Sequence, residues 1–283
     1  MPRMEIFART EIGCVRGRNE DTFVVLDLTT GVTGVPGPNN TRTIDPPGTL
    51  VAVLDGMGGA AAGDVASAMA ADGLVHAAKS TPIAQPGDAE RMLLAAVTEA
   101  NQAIASFTKK HPDKRGMGTT MTAALAMASN LVVVQVGDSR AYLRRGRVLQ
   151  QLTMDQNVVG QMVAAGKLKP EEARHYKQRN VLLEAIGVQE RVGPDIVHAR
   201  IRAGDVLLLC SDGLTGPLDD RKILDIMLKH EDLVACCRAL TEAACAHGGP
   251  DNVTVAMARF SGDDLGQPEG LEPIWFERRP AVA

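Results

Sequence analysis

Short apolar segments bounded by turn residues recur along much of this 283-residue chain. Many of their residues are β-branched, and the segments are short for helices, so they predict buried strands. Arg145-Gly146 separates two of them and predicts a hairpin. The predicted strands are Thr22–Leu28, Thr49–Leu54, Thr120–Ala128, Leu131–Val136, Arg140–Arg144, Arg147–Leu152, Val206–Leu209 and Asn252–Phe260.

Longer segments show helical patterns. Over residues 89–109, apolar side chains recur at the three-to-four spacing that places them on one helix face. Residues 64–79 are rich in alanine, and Gly248 stands where it would end the last helix. The predicted helices are Asp64–Lys79, Ala89–Lys109, Asp219–Lys229 and Asp232–His247.

The order of these elements indicates the fold class. Strands that follow one another directly, as over residues 120–152, favour antiparallel pairing, and the helices come in two groups rather than one after each strand. This order favours an α+β sandwich over a doubly wound parallel sheet. Residues 29–48, rich in Gly, Pro, Thr and Asn, predict a surface loop, and residues 261–283 predict a C-terminal tail.

Composition and charge narrow the class of protein. Hydrophobic residues make up 45% of the chain, as in ordinary globular proteins. A net charge of −4 and an aromatic content of 3% argue against a nucleic-acid-binding surface, which is usually basic and often stacks bases on aromatic rings. The five cysteines include no C-x-x-C pair and predict reduced, mostly buried thiols. No apolar leader or bilayer-length apolar run is visible, so we expect a cytoplasmic protein without a membrane span.

Aspartates recur where a predicted buried strand meets a tight turn. Asp55, Asp138 and Asp212 follow such strands, and Asp251 precedes one. Each alone is explained by turn or helix capping. Together they indicate a divalent cation, because an ionised carboxylate at the mouth of a core strand is costly unless it is paired. An all-oxygen ligand set selects Mg²⁺ or Mn²⁺ over Zn²⁺, and Gly56 would let a backbone carbonyl approach the ion.

A second polar cluster, Arg16 with Glu20 and Asp21, precedes the first predicted strand. One interpretation is a solvated run of charges. The functional interpretation is that the two acids hold metal-bound water, while the planar guanidinium of Arg16 clamps a phosphate.

At these residues the sequence resembles the metal-dependent protein phosphatase family of type 2C (PPM), and in particular its bacterial Ser/Thr phosphatases. A single D-G or G-D-S has no diagnostic value, but here the family's motifs occur together and in the family's order. The motifs are Arg16-x-x-Asn-Glu-Asp21, Asp55-Gly-Met-Gly-Gly59, Gly118-Thr-Thr120, Gly137-Asp-Ser-Arg140, Leu152-Thr-x-Asp155, Ser211-Asp-Gly-Leu214 and Gly249-Pro-Asp-Asn252.

The resemblance implies one phosphatase domain over residues 5–260, with a flap segment at 157–184 that influences substrate choice, and a tail over 261–283. The implied fold is a four-layer αββα sandwich, in which two antiparallel β-sheets are flanked by helices. It implies hydrolysis of phosphoserine and phosphothreonine in proteins by a water activated between two Mn²⁺ or Mg²⁺ ions. The implied partners are a bacterial Ser/Thr kinase and its substrates.

The resemblance also assigns site residues. Asp55 would bridge the two metal ions, with the Gly56 carbonyl on one of them. Asp212 and Asp251 would complete the first metal site. The remaining implied roles are coordinated water for Glu20 and Asp21, a third and weaker metal for Asp138, and substrate phosphate for Arg16.

The sequence departs from part of the family at one catalytic position. Many eukaryotic members carry a histidine, proposed as general acid, where this chain has Met57, and a thioether cannot donate a proton. Two other functions stay open. A pseudophosphatase that binds phosphoproteins is disfavoured because Asp55, Asp212 and Asp251 are all present. A different metal-dependent phosphoesterase, such as a phosphodiesterase or nuclease, is disfavoured by the negative net charge and the low aromatic content of the chain.

Overall fold

The structure is a computed structural model that describes residues 1–34, 41–58, 62–169, 172, 176, 178, 180–268 and 272–281. Among these residues, no helix is both long enough and apolar enough to cross a lipid bilayer.

The strands form two sheets, and each described pair of neighbouring strands is antiparallel. The strands are β1 Arg3–Glu11, β2 Asp21–Asp27, β3 Thr41–Thr43, β4 Thr49–Met57, β5 Gly118–Thr119, β6 Met121–Met127, β7 Asn130–Val136, β8 Arg140–Arg145, β9 Val148–Gln151, β10 Asp195–Arg200, β11 Val206–Cys210, β12 Val253–Ser261 and β13 Phe276–Pro280. The first sheet has the order β3-β1-β12-β11-β8-β9. The second has the order β13-β10-β7-β6-β4-β2, and β5 pairs with β4.

Four of the described helices begin at capping residues. Asn157, Asp219 and Asp232 each accept a hydrogen bond from a backbone N–H in the first turn of the helix that follows. Gln85 and Asp88 form a reciprocal capping box. The α-helices are α1 Gly63–Ser80, α2 Pro86–Lys110, α3 Val158–Ala164, α4 Asp212–Thr215, α5 Asp220–Lys229 and α6 Leu233–Ala246.

The molecule has four layers, because side chains along each strand alternate between a face that packs on helices and a face that packs on the other sheet. In β4, Leu50 and Leu54 pack with α1 and α2, whereas Val51 and Val53 face the other sheet. On the outer face of the first sheet, Leu208 packs with residues of α5 and α6. The predicted αββα sandwich is therefore confirmed, as are the four long helices, with boundaries shifted by a few residues.

The pattern-based prediction omitted the strands β1, β3, β5, β10 and β13. The interpretation of residues 29–48 as a loop is wrong for β3, which pairs with β1 and leads into the buried Ile44. Within the predicted tail, β13 pairs with β10 at the edge of the second sheet. β3 and β13 are edge strands and β5 has only two residues, so local sequence patterns show them poorly. β1 and β10 are inner strands, but charged or polar residues interrupt their apolar runs.

Candidate metal centre and active site

The predicted site residues meet at one end of the sandwich. Asp55 lies in β4, and Asp21 is directly opposite it at the start of β2. Asp138 lies in the turn between β7 and β8, Asp212 begins α4 after β11, and Asp251 precedes β12. Strand ends of both sheets thus surround one cavity of about 340 Å³. Its lining includes Arg16, Glu20, Asp55, Gly56, Met57, Asp138, Asp212 and Asp251.

Two threonines of the Gly118-Thr-Thr120 motif hold the backbone of Asp55. The Asp55 N–H donates to Thr120 Oγ1 at 2.9 Å, and its carbonyl accepts from Thr120 N–H at 2.9 Å and from Thr119 Oγ1 at 3.0 Å. Because every backbone polar group of Asp55 is satisfied, its carboxylate is left free to point into the cavity.

Asp21 lies behind the cavity and is buried. Its Oδ2 accepts hydrogen bonds from Ser211 Oγ at 2.8 Å and Thr254 Oγ1 at 2.6 Å, while Oδ1 is buried without a hydrogen-bond partner among the described residues. A buried carboxylate oxygen without a donor is costly, which indicates that a further ligand belongs at this position.

Asn252 joins the Arg16 loop to β12. Its side-chain oxygen accepts from the Glu20 N–H at 2.8 Å, and its amide donates to the carbonyls of Ile12 at 2.9 Å and Arg18 at 2.8 Å. Asn157 similarly donates to Asp138 Oδ2 at 3.0 Å. The sequence analysis assigned neither asparagine a role, although Asn252 stands in a motif quoted for the family.

Two glycines allow the close approach of these segments. A Cβ at Gly56 would overlap the carbonyl oxygen of Gly63, and one at Gly213 would overlap the carbonyl oxygen of Asn252. Both positions therefore require glycine for steric reasons, and at Gly56 the absence of a side chain keeps the backbone next to Asp55 accessible.

The two nearby arginines have different partners. Arg16 is half exposed and its Nη2 lies 2.6 Å from Asp251 Oδ2. Arg140, which the sequence places next to Asp138, instead forms a bidentate pair with Asp155 at 2.8 and 2.7 Å. Arg16 is thus the guanidinium that lines the cavity at the carboxylate cluster.

The carboxylates raise one another's pKa values. Loss of hydration, followed by the charges of Asp21, Asp212 and Asp138, raises the pKa of Asp55 well above its usual range. Loss of hydration is also the main cause that raises the pKa of Asp138 to about 8 and the pKa values of Asp21 and Asp212 to about 6.

This donor set fits hard divalent cations, because it offers oxygen ligands and an excess of negative charge. The charges of Asp21 and Asp212 act directly on the Asp55 side chain. A bound cation would offset this repulsion between carboxylates. In the described part of the chain, no three acidic, histidine or cysteine side chains already form a complete ligand group.

The metal-free protein is expected to lose stability as the pH rises from about 4 to about 8, the interval between the pKa of an unfolded aspartate and that of Asp138. Asp21 and Asp138 have raised pKa values in the fold. The folded state therefore holds protons that the unfolded chain has released, and stability falls as these are lost. The effect is on the order of a few kcal/mol. Thermal unfolding in chelator across this pH range measures it.

Saturating Mn²⁺ is the control for this pH series, because the ion binds the ionised carboxylates and should remove or reverse the trend. A melting temperature that is constant or rises with pH in chelator would contradict the repulsion argument.

The first part of the predicted flap is helix α3, and the chain after it turns at Gly166 with φ +67°. Its basic residues Arg174, His175, Lys177 and Arg179 lie outside the described residues.

Comparison with known proteins agrees with this geometry. A family model described as protein phosphatase 2C matches residues 41–246. The serine/threonine protein phosphatase PstP of Mycobacterium tuberculosis is 41% identical over 238 residues, which are 84% of this chain and 45% of that protein. This chain thus spans about half the length of the mycobacterial relative.

Two further comparisons cover nearly whole chains. The serine/threonine phosphatase stp of Listeria monocytogenes is 35% identical over 250 residues, 88% of this chain and 93% of that protein. A solved structure of the PstP catalytic domain in complex with two manganese ions has a TM-score of 0.76 and 37% identity, and covers 93% of this chain and 100% of that one. The family match over most of the sequence, together with these relatives, shows that this chain belongs to the protein phosphatase 2C family.

Proposed function

We propose that this protein is a metal-dependent protein serine/threonine phosphatase. The observation that carries the proposal is the single cavity in which carboxylates from both sheets surround one guanidinium, that of Arg16. Carboxylates that repel one another favour bound cations, and a guanidinium beside them favours a phosphoryl dianion. The names of the bacterial relatives support the same activity.

The proposed metal ligands are Asp55, the Gly56 carbonyl, Asp212 and Asp251, with Glu20 and Asp21 acting through coordinated water and Asp138 at a weaker third site. The manganese ions in the PstP catalytic domain support Mn²⁺ or Mg²⁺ as the cofactor. Bound divalent ions supply a water of lowered pKa and positive charge for the phosphoryl oxygens.

The protein's own groups position the reactants. Arg16 is held toward the cavity by Asp251 at 2.6 Å, so its remaining N–H groups can bind the phosphoryl oxygens as negative charge develops. Ser211 and Thr254 fix the orientation of Asp21 from behind. Met57 lines the cavity but cannot protonate the leaving alkoxide, so Met57 is not assigned a role in proton transfer.

The proposed substrates are phosphoserine and phosphothreonine in proteins, and the proposed partners are a bacterial Ser/Thr kinase and its targets. A cytoplasmic location remains a prediction from the sequence, as does the selection of substrates by the flap.

A substrate comparison tests the function. Purified protein with Mn²⁺ is expected to release phosphate from phosphothreonine and phosphoserine peptides and to leave a cyclic nucleotide intact. Preferential cleavage of the cyclic nucleotide would indicate a phosphodiesterase instead. Tight peptide binding without phosphate release would indicate a pseudophosphatase.

Arg16→Ala is expected to raise KM for phosphorylated substrate more than Asp138→Ala does. A charge-assisted hydrogen bond contributes about 1.5–3 kcal/mol, which corresponds to roughly a 10- to 150-fold change. Asp138→Ala should mainly change the Mn²⁺ concentration needed for activity, since Asp138 is assigned to a weaker metal. Steady-state kinetics over a Mn²⁺ titration separates the two effects.

Arg16→Lys is the matched control, because it keeps the positive charge and removes the planar fork. It should give an intermediate KM. If Asp138→Ala raised KM more than Arg16→Ala, the two assignments would have to be exchanged.

A further inference from the structure

Two cysteines lie together beside the loop that carries Arg16. Cys14 is exposed and stands two residues before Arg16, and Cys245 is partly exposed in the last turn of α6. Cys14 Sγ donates to the backbone carbonyl of Cys245 at 3.7 Å. The other three cysteines, Cys210, Cys236 and Cys237, are buried.

We propose that Cys14 and Cys245 are a reversible modification site, which a hydroperoxide converts to a disulfide that displaces Arg16. The geometric basis is that Cys14 Sγ lies 3.7 Å from the backbone carbonyl of Cys245 and that both thiols are accessible, since a disulfide requires neighbouring cysteines in a narrow range of separations. This pair differs from the prediction of reduced, mostly buried thiols, because Cys14 is exposed and Cys245 partly exposed.

The exposure of the two thiols suggests their roles in the reaction. Cys14, as the exposed thiol, attacks the O–O bond, forming Cys14 sulfenic acid and releasing water or an alcohol. The sulfur of Cys245 then attacks the Cys14 sulfur and expels water. In total, two thiols are oxidised to one disulfide, and one hydroperoxide is reduced to water and water or alcohol. Burial and the nearby Cys14 thiol raise the pKa of Cys245, consistent with its role as the second, resolving thiol.

The disulfide would move the Arg16 side of the contact. An S–S bond of about 2.05 Å is much shorter than a contact between unbonded sulfurs. The α6 side is fixed, because Leu240 and Ala244 are fully buried and Gly249 N–H donates to the Ala244 carbonyl at 3.1 Å. Residues 14–18, in contrast, are exposed, and their backbone is anchored only at its ends, where the Cys14 N–H donates to the Gly249 carbonyl at 2.8 Å and the Arg18 carbonyl accepts from Asn252 at 2.8 Å. Disulfide formation is therefore expected to change the conformation of the exposed residues between these anchors and to shift Arg16 relative to Asp251.

The test uses the reduced, Mn²⁺-loaded protein treated with hydrogen peroxide. Peptide mapping without reductant should identify a Cys14–Cys245 disulfide, and the intact mass should fall by two hydrogen atoms. KM for an aryl phosphate should rise roughly tenfold, the lower end of what a charge-assisted hydrogen bond contributes. Dithiothreitol should restore both the mass and KM.

Cys245→Ser is the matched control. It keeps the exposed thiol and should show neither the disulfide nor the dithiothreitol-reversible change in KM, with unchanged activity before treatment. Absence of the disulfide in the unsubstituted protein would refute the proposed modification site. A disulfide that forms without a change in KM would refute the proposed displacement of Arg16. This second part rests on the proposed phosphatase activity. If the reduced protein had no such activity, the proposed function would fail, whereas peptide mapping would still test the disulfide.

Discussion

Asp212→Asn is expected to reduce turnover by about 100-fold or more, while raising the melting temperature of the metal-free protein. The loss follows from the proposed role of Asp212 as a metal ligand. The gain follows from electrostatics, because burial and the charges of Asp251 and Asp21 raise the pKa of Asp212 to about 6. Removing one of the repelling charges stabilises the fold, and each kcal/mol corresponds to about 2–4 °C in a domain of this size.

The measurements are steady-state hydrolysis of an aryl phosphate and thermal unfolding in chelator. Asp72→Asn, which removes the same charge from an exposed position on α1, is the matched control and should change neither quantity appreciably. Asp251→Asn should lower turnover in the same way. Retained turnover in Asp212→Asn would refute the ligand assignment, and a lower melting temperature would refute the repulsion argument.

Removal of divalent metal is expected to abolish hydrolysis, and added Mn²⁺ or Mg²⁺ should restore it. The physical reason is the oxygen-rich, acidic cavity, whose described lining residues carry carboxylates and one hydroxyl, that of Thr120. This hydroxyl is hydrogen bonded to the Asp55 N–H and to Ser139 Oγ, so it is not poised as a nucleophile. Metal that binds only the folded state should also increase the free energy of unfolding by about 2.7 kcal/mol at a hundredfold excess over Kd. This stabilisation raises the melting temperature. Activity assays and thermal unfolding with and without chelator measure both effects.

Circular dichroism of the stripped protein controls for unfolding and should show unchanged helix and strand content. The stabilisation by Mn²⁺ should be smaller in Asp212→Asn, which lacks one proposed ligand. Robust hydrolysis by a fully stripped sample would exclude the proposed mechanism.

The sequence predicted most of the secondary structure because local periodicity reports it directly. The β6 and β7 segments are short, apolar and bounded by turns, the turn at Arg145-Gly146 indicates the β8–β9 hairpin, and α2 shows a continuous apolar face. The sequence failed at β1, although Met4, Ile6 and Ala8 alternate inward along it, because charged residues interrupt the apolar run. It failed at β3 and β13 because these are short edge strands, stabilised by neighbours distant in the chain.

The positions of Asp55, Asp138, Asp212 and Asp251 at strand ends could be predicted from the sequence, because an acid next to an apolar run is visible locally. Their convergence in one cavity could not be predicted in this way, since it depends on how two sheets pack in the folded protein. The tertiary structure also decided which groups support the site: Thr254 and Ser211 reach Asp21 across 233 and 190 positions. The contact of Cys14 with Cys245 spans 231 positions. Such contacts arise from long-range strand pairing and close packing, and no local pattern of residues encodes them.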